Sequence, residues 1–357
     1  MRLTDSAEAK CQYPRVILVL ATFSGARFLE ELLDSLLSQS YQRWELLIRD
    51  DGSQDNTLPI IQQYEKRYER ITLIDDGKGR LGPVQNFAAL LEVAQKRNGD
   101  YVFLVDQDDL WSSEKIALEV KALELAEGKM GRDCPLLVHS DLRVVSKRGI
   151  LIAKSLLKYQ RISHQESDAM EVLLVQNFVT GCTVALNRAA LEVALPIPRL
   201  AVMHDWWLAL AVAATGRLLF VGHPTVDYRQ HGKNQVGAVG ALRGLQLLAR
   251  RIRTKNKLLY DFVAAIAQAL ALLRHLRLRG LFDENRREHV VLERFCSLFV
   301  DSVSWQARLQ ECRLLGIRRQ FLPRRILFYL QLALLKDLAV WELDKGDGVM
   351  EDAMEDL

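Results

Sequence analysis

The 357-residue chain is poor in the features that would place it in a specialised class. Its five cysteines, Cys11, Cys134, Cys182, Cys296 and Cys312, are too few and too scattered for a disulfide framework. There is no C-x-x-C and no H-E-x-x-H, so neither common zinc pattern is available. No basic, then apolar, then small-residue leader opens the sequence: Met1 to Lys10 carries Asp5 and Glu8, and the run Val16 to Ala21 is short. A reducing compartment is the expectation. The apolar stretch Leu258 to Leu273 is broken by Asp261 and Gln268, and Ile326 to Leu335 is stopped by Lys336 and Asp337. Both are shorter than the roughly 20 apolar residues expected of a spanning helix. Internal repeats and long low-complexity segments are also missing.

What is present is the composition of a folded protein, 49% hydrophobic and 26% charged, with a formal charge of +3. That charge is unevenly distributed. Residues 241–330 hold 18 Lys plus Arg against 7 Asp plus Glu, a surplus of +11, and residues 331–357 hold 2 against 8, or −6, leaving −2 for residues 1–240. A near-neutral body, a basic Leu- and Arg-rich helical segment and an acidic tail follow one another.

The body has a strand and helix rhythm. Arg15 to Ala21 has strand length, and the apolar positions 28, 29, 32, 33, 36 and 37 trace one face of a helix over Arg27 to Ser40. The same alternation recurs in Trp44–Ile48 with Thr57–Tyr68, and in Ile71–Ile74 with Val84–Lys96, before a fourth strand, Tyr101–Val105. Near-continuous apolar strands alternating with helices predict a mainly parallel sheet covered on both faces, with ligands at its carboxyl edge. Beyond it, Leu136–His139 and Asn177–Leu186 read as strands and His204–Ala214 as a helix.

Acids gather at those edges: Asp50-Asp51-Gly52-Ser53-Gln54-Asp55, Asp106-Gln107-Asp108-Asp109, and His204-Asp205. Carboxylates so placed accept hydrogen bonds from a ligand or hold a hard divalent cation, which would relieve the repulsion within the D-x-D-D cluster. A solvated turn or helix cap explains one such cluster, but less readily two at successive strand ends. A competing motif, Gly77-Lys78-Gly79-Arg80-Leu81-Gly82, matches G-x-G-x-x-G between a strand and a helix and would suggest a dinucleotide-dependent oxidoreductase. Asp75 and Asp76 precede it, where they would oppose a pyrophosphate, so a flexible turn is the favoured use of these glycines.

The segment Val16 to Gly25, the Asp50–Asp55 turn and the Asp106–Asp109 cluster resemble the nucleotide-binding half of family 2 glycosyltransferases. Asn177-Phe178-Val179-Thr180-Gly181-Cys182, His204-Asp205-Trp206-Trp207 and Tyr228 to Gly237 resemble the bacterial rhamnosyltransferase-like branch. The resemblance implies an α/β GT-A fold, a Rossmann-like, mostly parallel sheet flanked by helices, with a C-terminal helical extension. It divides the chain into an N-terminal extension (1–13), a catalytic domain (14–240), a basic helical segment (241–340) and an acidic tail (341–357).

The same resemblance implies an inverting transferase that moves a sugar from a sugar nucleotide, dTDP-L-rhamnose first, to a glycan or lipid-linked acceptor of a bacterial surface polysaccharide. Asp51, with Ala21, Thr22 and Phe23, would hold the nucleotide base. Asp106, Gln107 and Asp108 would face the donor diphosphate, and Asp108 and Asp109 would bind Mg²⁺ or Mn²⁺. Asp205 is the implied base. His204 stands where the family often has Glu, and Phe23-Ser24 replaces the usual Tyr-Asn. His231 is a candidate third metal ligand and Arg229 a charge clamp on the diphosphate. Trp206, Thr180 and Gly181 are expected on the acceptor side. The basic cluster Arg250, Arg251, Arg253, Lys255 and Lys257 suits an anionic membrane surface or, as plainly, a helical subdomain. No recognised nucleic-acid module accompanies it. A cytoplasmic enzyme, docked on the inner face of the membrane if those helices bind lipid, is the expected location.

Overall fold

The computed structural model describes residues 13–231, 255–300 and 303–335. The end of the Tyr228–Gly237 motif, the arginines at 250, 251 and 253, and the acidic tail lie outside the described residues, as do the side chains at 255 and 257.

The first half is built as its apolar runs dictate. Strands β1 (Val16–Thr22), β2 (Trp44–Asp50), β3 (Ile71–Leu73) and β4 (Tyr101–Asp106) pair in parallel, in the order β3-β2-β1-β4. Helices α1 (Ala26–Leu37), α2 (Thr57–Arg67) and α3 (Pro83–Lys96) make the crossovers. Side chains of β1 alternate between the two faces. Val16, Leu18 and Leu20 enter the core shared with Leu29, Leu32, Leu33 and Leu36 of α1, whereas Ile17 and Val19 enter the core shared with Phe87, Leu90 and Leu91 of α3. This two-sided burial explains why β1 carries no polar residue before Thr22.

The second half departs from a mostly parallel sheet. β4 pairs antiparallel with β8 (Ala185–Asn187), and β8 pairs antiparallel with β6 (Leu136–Ser146). β6 then runs parallel to β9 (Arg217–Gln230), which pairs antiparallel with the two-residue β5 (Leu110–Trp111); β7 (Leu151–Ala153) pairs antiparallel with β6. The sheet is therefore mixed. Two expectations change here. The strand expected over 177–186 is a loop and a 3-10 turn, Gly181–Thr183, before the short β8. The 14-residue β9 is unexpected, because Gly222 and Pro224 break its apolar pattern where the register against β6 shifts at Ser140–Leu142.

Helices α4 (Lys115–Met130) and α5 (Leu156–Gln160) follow in the chain, and behind the α3 face lie α6 (Ala169–Leu173), α7 (Arg188–Ala194) and α8 (His204–Thr215). The C-terminal helices α9 (Lys255–Leu278), α10 (Arg287–Val300), α11 (Trp305–Leu314) and α12 (Leu322–Leu334) join the same core, through Phe262, Ile266, Phe295, Cys312 and Phe328. Leu259–Leu278 of α9 is long and apolar enough to cross a membrane by length and composition, and 56% of its most apolar window is buried inside the protein. Gln268, which interrupts that stretch, is fully buried and accepts the Val202 N–H at 2.8 Å. Trp207 of α8 is also fully buried, its indole N–H donating to the Ala194 carbonyl.

Candidate functional site

At the carboxyl edge of β1, β2 and β4 a cleft of ≈ 1440 Å³ opens, and the three acidic segments converge on it: Asp51, Asp106, Asp108 and Asp205 all line its wall. Two amide contacts fix its floor. The Gln107 side chain accepts the Phe23 N–H at 2.9 Å and donates to the Phe23 carbonyl at 3.1 Å, stapling the β1 loop to the β4 loop. A Cβ on Gly25 would lie 2.2 Å from the Gln107 amide oxygen, so this staple requires glycine there. Thr22 donates to Asp50 at 2.9 Å, and Asp50 in turn accepts the Gly52 and Ser53 N–H groups, closing the acidic turn. Ala21, Thr22, Phe23 and Gln107 all line the cleft.

Asp51 is gripped from behind. Its carboxylate accepts the N–H of Leu81 at 2.7 Å, that of Gly82 at 2.8 Å and the Arg49 guanidinium at 3.1 Å. Arg49, itself buried, also binds Asp76 through two nitrogens and the carbonyl of Gly79. The loop 75–82 is thus a clasp around one ion pair rather than a flexible turn. Gly77, Gly79 and Gly82 have φ of +65°, +65° and +78°, so the motif supplies backbone bends that bring two N–H groups to Asp51. The Leu81 and Gly82 donors that a pyrophosphate would need are already committed to this carboxylate, and the oxidoreductase alternative has no support.

Asp205 occupies the first turn of α8, where the helix dipole favours an anion. It accepts the Gly181 N–H at 2.9 Å, the Trp206 N–H at 2.6 Å and the Asn177 amide at 3.3 Å. Burial outweighs these donors and raises its carboxyl to about 6. The 3-10 turn places Gly181 here, and a Cβ on it would come within 3.1 Å of the His204 ring. His204 stacks on Phe87 at 3.9 Å, and neither ring nitrogen has a hydrogen-bond partner among the described residues. Burial pushes His204 down to about 3, so it is a neutral imidazole on the cleft wall. Thr180, Gly181 and Trp206 line the cleft beside Asp205, with the Trp206 indole anchored to the Leu173 carbonyl at 2.6 Å.

The expected metal ligands separate. Asp108 and His231 meet in the cleft, Oδ2 to Nε2 at 2.7 Å. Asp109 turns inward: it is fully buried, outside the cleft lining, and accepts the Arg229 N–H at 2.9 Å. One oxygen each of Asp106 and Asp109 and the Cys182 sulfur lie within 4.8 Å of one another. Burial and the neighbouring aspartates hold Asp106 and Asp109 well above the usual carboxylate range, and burial keeps the Cys182 thiol protonated. Crowded carboxylates of this kind, with a protonated thiol, suit a hard cation and not a thiophilic one.

Arg229 does not face the cleft. Its guanidinium lies behind the acidic loop, donating to Glu31 at 2.7 Å, to the Asp108 carbonyl at 3.1 Å and to the Lys147 carbonyl at 3.4 Å, over the Phe28 ring. In place of a diphosphate clamp, the geometry makes it a brace for the loop that presents Asp108. The sequence reading also missed several wall residues. Arg80 stacks on Phe23 at 4.2 Å, Tyr260, Asp261 and Arg324 come from the C-terminal helices, and Arg319 comes from the turn before the last of them. Of the wall residues, Arg80, inside the Gly77 to Gly82 motif, and Asn177, inside the motif Asn177 to Cys182, carried a local signal.

Residues 17–130 match the family described as Glycosyl transferase family 2. A dTDP-rhamnosyl transferase of Shigella flexneri is 27% identical over 264 residues, covering 71% of this chain and 84% of that protein. A protein of Bacillus subtilis named as a teichuronic acid biosynthesis glycosyltransferase is 26% identical over 176 residues, 49% of this chain and 63% of its own. Among solved structures, a mannosyltransferase of Pyrobaculum calidifontis in complex with GDP-Man and Mn²⁺ is 18% identical with a TM-score of 0.48, covering 99% of this chain and 89% of that one.

Proposed function

Given that the chain is a glycosyltransferase of family 2, we propose that it is an inverting, metal-dependent enzyme of bacterial surface polysaccharide assembly. It would move L-rhamnose from dTDP-L-rhamnose to a glycan or lipid-linked acceptor. The observation that carries this reading is the convergence of Asp51, Asp106, Asp108 and Asp205 on one cleft.

The chemistry follows from the positions. A sugar hydroxyl is a weak nucleophile and needs a base as it attacks the anomeric carbon. Asp205, ionised above about pH 6 and held by three N–H donors, takes that proton. A single displacement from the face opposite the leaving group inverts the anomeric centre. Asp51, fixed by the 75–82 clasp, faces the nucleotide end, where the Phe23–Arg80 stack offers a flat surface. Asp108 and His231 are the residues that would hold Mg²⁺ or Mn²⁺, with Asp106 adjacent. When bound, the cation supplies Lewis-acid stabilisation of the departing nucleoside diphosphate. Trp206, Thr180 and Gly181 border Asp205 and receive the acceptor sugar.

The donor follows the activity named for the Shigella relative, and the polysaccharide setting follows the teichuronic acid role named for the Bacillus relative. In this reading residues 14–240 are the catalytic unit, residues 241–340 are the basic helical segment whose Tyr260, Arg319 and Arg324 wall the cleft, and the enzyme is cytoplasmic at the inner face of the membrane. Leu322, Ile326, Leu330 and Leu334 form an exposed apolar stripe along α12 that suits such docking. A donor panel decides the central claim. Release of nucleoside diphosphate from dTDP-L-rhamnose in Mg²⁺ or Mn²⁺, abolished by EDTA, is the expected result; activity undiminished by EDTA, or with no sugar nucleotide at all, overturns it.

A further inference from the structure

The cleft extends past Asp205 to a wall supplied by the C-terminal segment, where two arginines line it: Arg319, just before α12, and Arg324, in its first turn. Arg319 is tied to the base. Its Nε donates to the Val175 carbonyl at 2.9 Å, and Val175 stands two residues before Asn177, whose amide reaches Asp205. These arginines therefore lie on the Asp205 side of the cleft, whereas the Asp51 clasp belongs to the β2 edge.

Their environment supplies less acid than cation. Neither guanidinium makes a salt bridge among the described residues, and the Arg324 side chain makes no hydrogen bond there. Asp261 is the one acid that acts on Arg319, and Arg324 opposes it by repulsion. Burial lowers both guanidiniums, Arg319 to about 10. The first turn of a helix favours acids, yet α12 has none there and carries Arg324 and Arg325 instead. A third guanidinium, that of Arg161, lies 5.0 Å over the Phe321 ring at the cap of this helix. Desolvated cations are retained where an anion completes them. Paired guanidiniums match the oxygens of a phosphoryl group two at a time.

We infer that Arg319 and Arg324 form an acceptor subsite that binds a phosphoryl group carried by the acceptor, beyond the hydroxyl that Asp205 activates. The inference rests on the transferase reading given above. The phosphoryl group has two chemical sources, an isoprenoid diphosphate or a sugar phosphate within a glycan.

The test is calorimetric titration of the full chain in EDTA with geranyl diphosphate and, separately, glucose 1-phosphate; glucuronic acid and methyl glucoside serve as controls. At least one phosphorylated probe binds, and the tighter one identifies the source. Arg324→Gln weakens it about 10-fold or more, adding Arg319→Gln weakens it further, and Arg324→Lys restores part of the loss. Because the Arg324 side chain makes no hydrogen bond to the described fold, its variants keep the wild-type melting temperature. Failure of both phosphorylated probes to bind, glucuronic acid binding equally well, or indifference to Arg324→Gln overturns the subsite. A parallel titration with dTDP and Mn²⁺ reads the donor site. Its failure strikes the transferase reading, whereas dTDP binding without phosphate-probe binding strikes the subsite alone.

Discussion

Asp108 and His231, 123 residues apart in sequence, meet at 2.7 Å across the cleft, and the His231 ring stacks on Phe28 at 5.2 Å. β9 delivers the histidine and the β4 loop the aspartate, so the pair marks where the parallel and mixed halves of the sheet face each other. His231→Ala is expected to raise the Mn²⁺ concentration needed for half-maximal turnover about 10- to 100-fold. Asp108→Ala is expected to remove metal-dependent dTDP binding by calorimetry. Unchanged metal dependence in both variants would separate this pair from the cation.

In the proposed mechanism turnover hinges on Asp205. Asp205→Asn preserves its bulk and several of its contacts but removes the base, so kcat falls about 10²- to 10⁴-fold while dTDP affinity stays within about twofold. Steady-state kinetics with calorimetry on the same preparation checks both halves of this expectation.

The Asp205 carboxyl, raised to about 6, links rate and stability in opposite senses. As a base it must be ionised, so kcat rises with pH through about 6 and flattens above it. As a buried acid whose folded value exceeds its unfolded one, it leaves stability untouched below about pH 4 and costs stability increasingly as pH rises from 4 to 6. The cost is up to about 3 kcal/mol. Asp205→Asn therefore melts higher than the wild type at pH 7.5, and that advantage shrinks toward pH 4, as thermal scans across this range would reveal.

Removing Asp51, the carboxylate at the proposed nucleotide end, is expected to act on fold and binding together. In Asp51→Ala the N–H groups of Leu81 and Gly82 lose their acceptor and Arg49 loses one of its two acids, a loss of about 1–3 kcal/mol. The donor KM rises at least 10-fold in the same variant. Gly82→Ala, strained at φ +78°, reproduces a weaker version of both effects. Denaturant unfolding paired with donor titration measures them.

His204 offers a cleaner dissection. Because the described fold gives its ring no hydrogen bond, His204→Phe keeps the stack on Phe87 and holds stability within about 1 kcal/mol. A rise in acceptor KM without a change in donor KM would identify the imidazole as an acceptor contact.

Much of this site was legible in the sequence because its signals are local. Apolar runs ending in acids located β1, β2 and β4, and the helix opening with His204-Asp205 stood out by its charge. What escaped was set by tertiary packing. Asp108 and Asp109 are neighbours in the chain but face opposite sides of their loop, since Arg229 draws Asp109 inward, and spacing alone carries no such sign. The glycines of 77–82 read as a ligand loop or a flexible turn until Arg49 and Asp51 were seen inside them. β9 hid behind Gly222 and Pro224, and Arg319 and Arg324 were submerged in a segment whose positive charge suggested a surface.

The C-terminal helices have a further consequence. They share one apolar core with α8, the helix that presents Asp205, and they contribute Tyr260, Arg319 and Gln331 to the cleft wall. The reaction chamber is consequently incomplete until the last of these helices has been synthesised and packed. A nascent chain halted after β9 would own all four acids and still have an open-sided vessel.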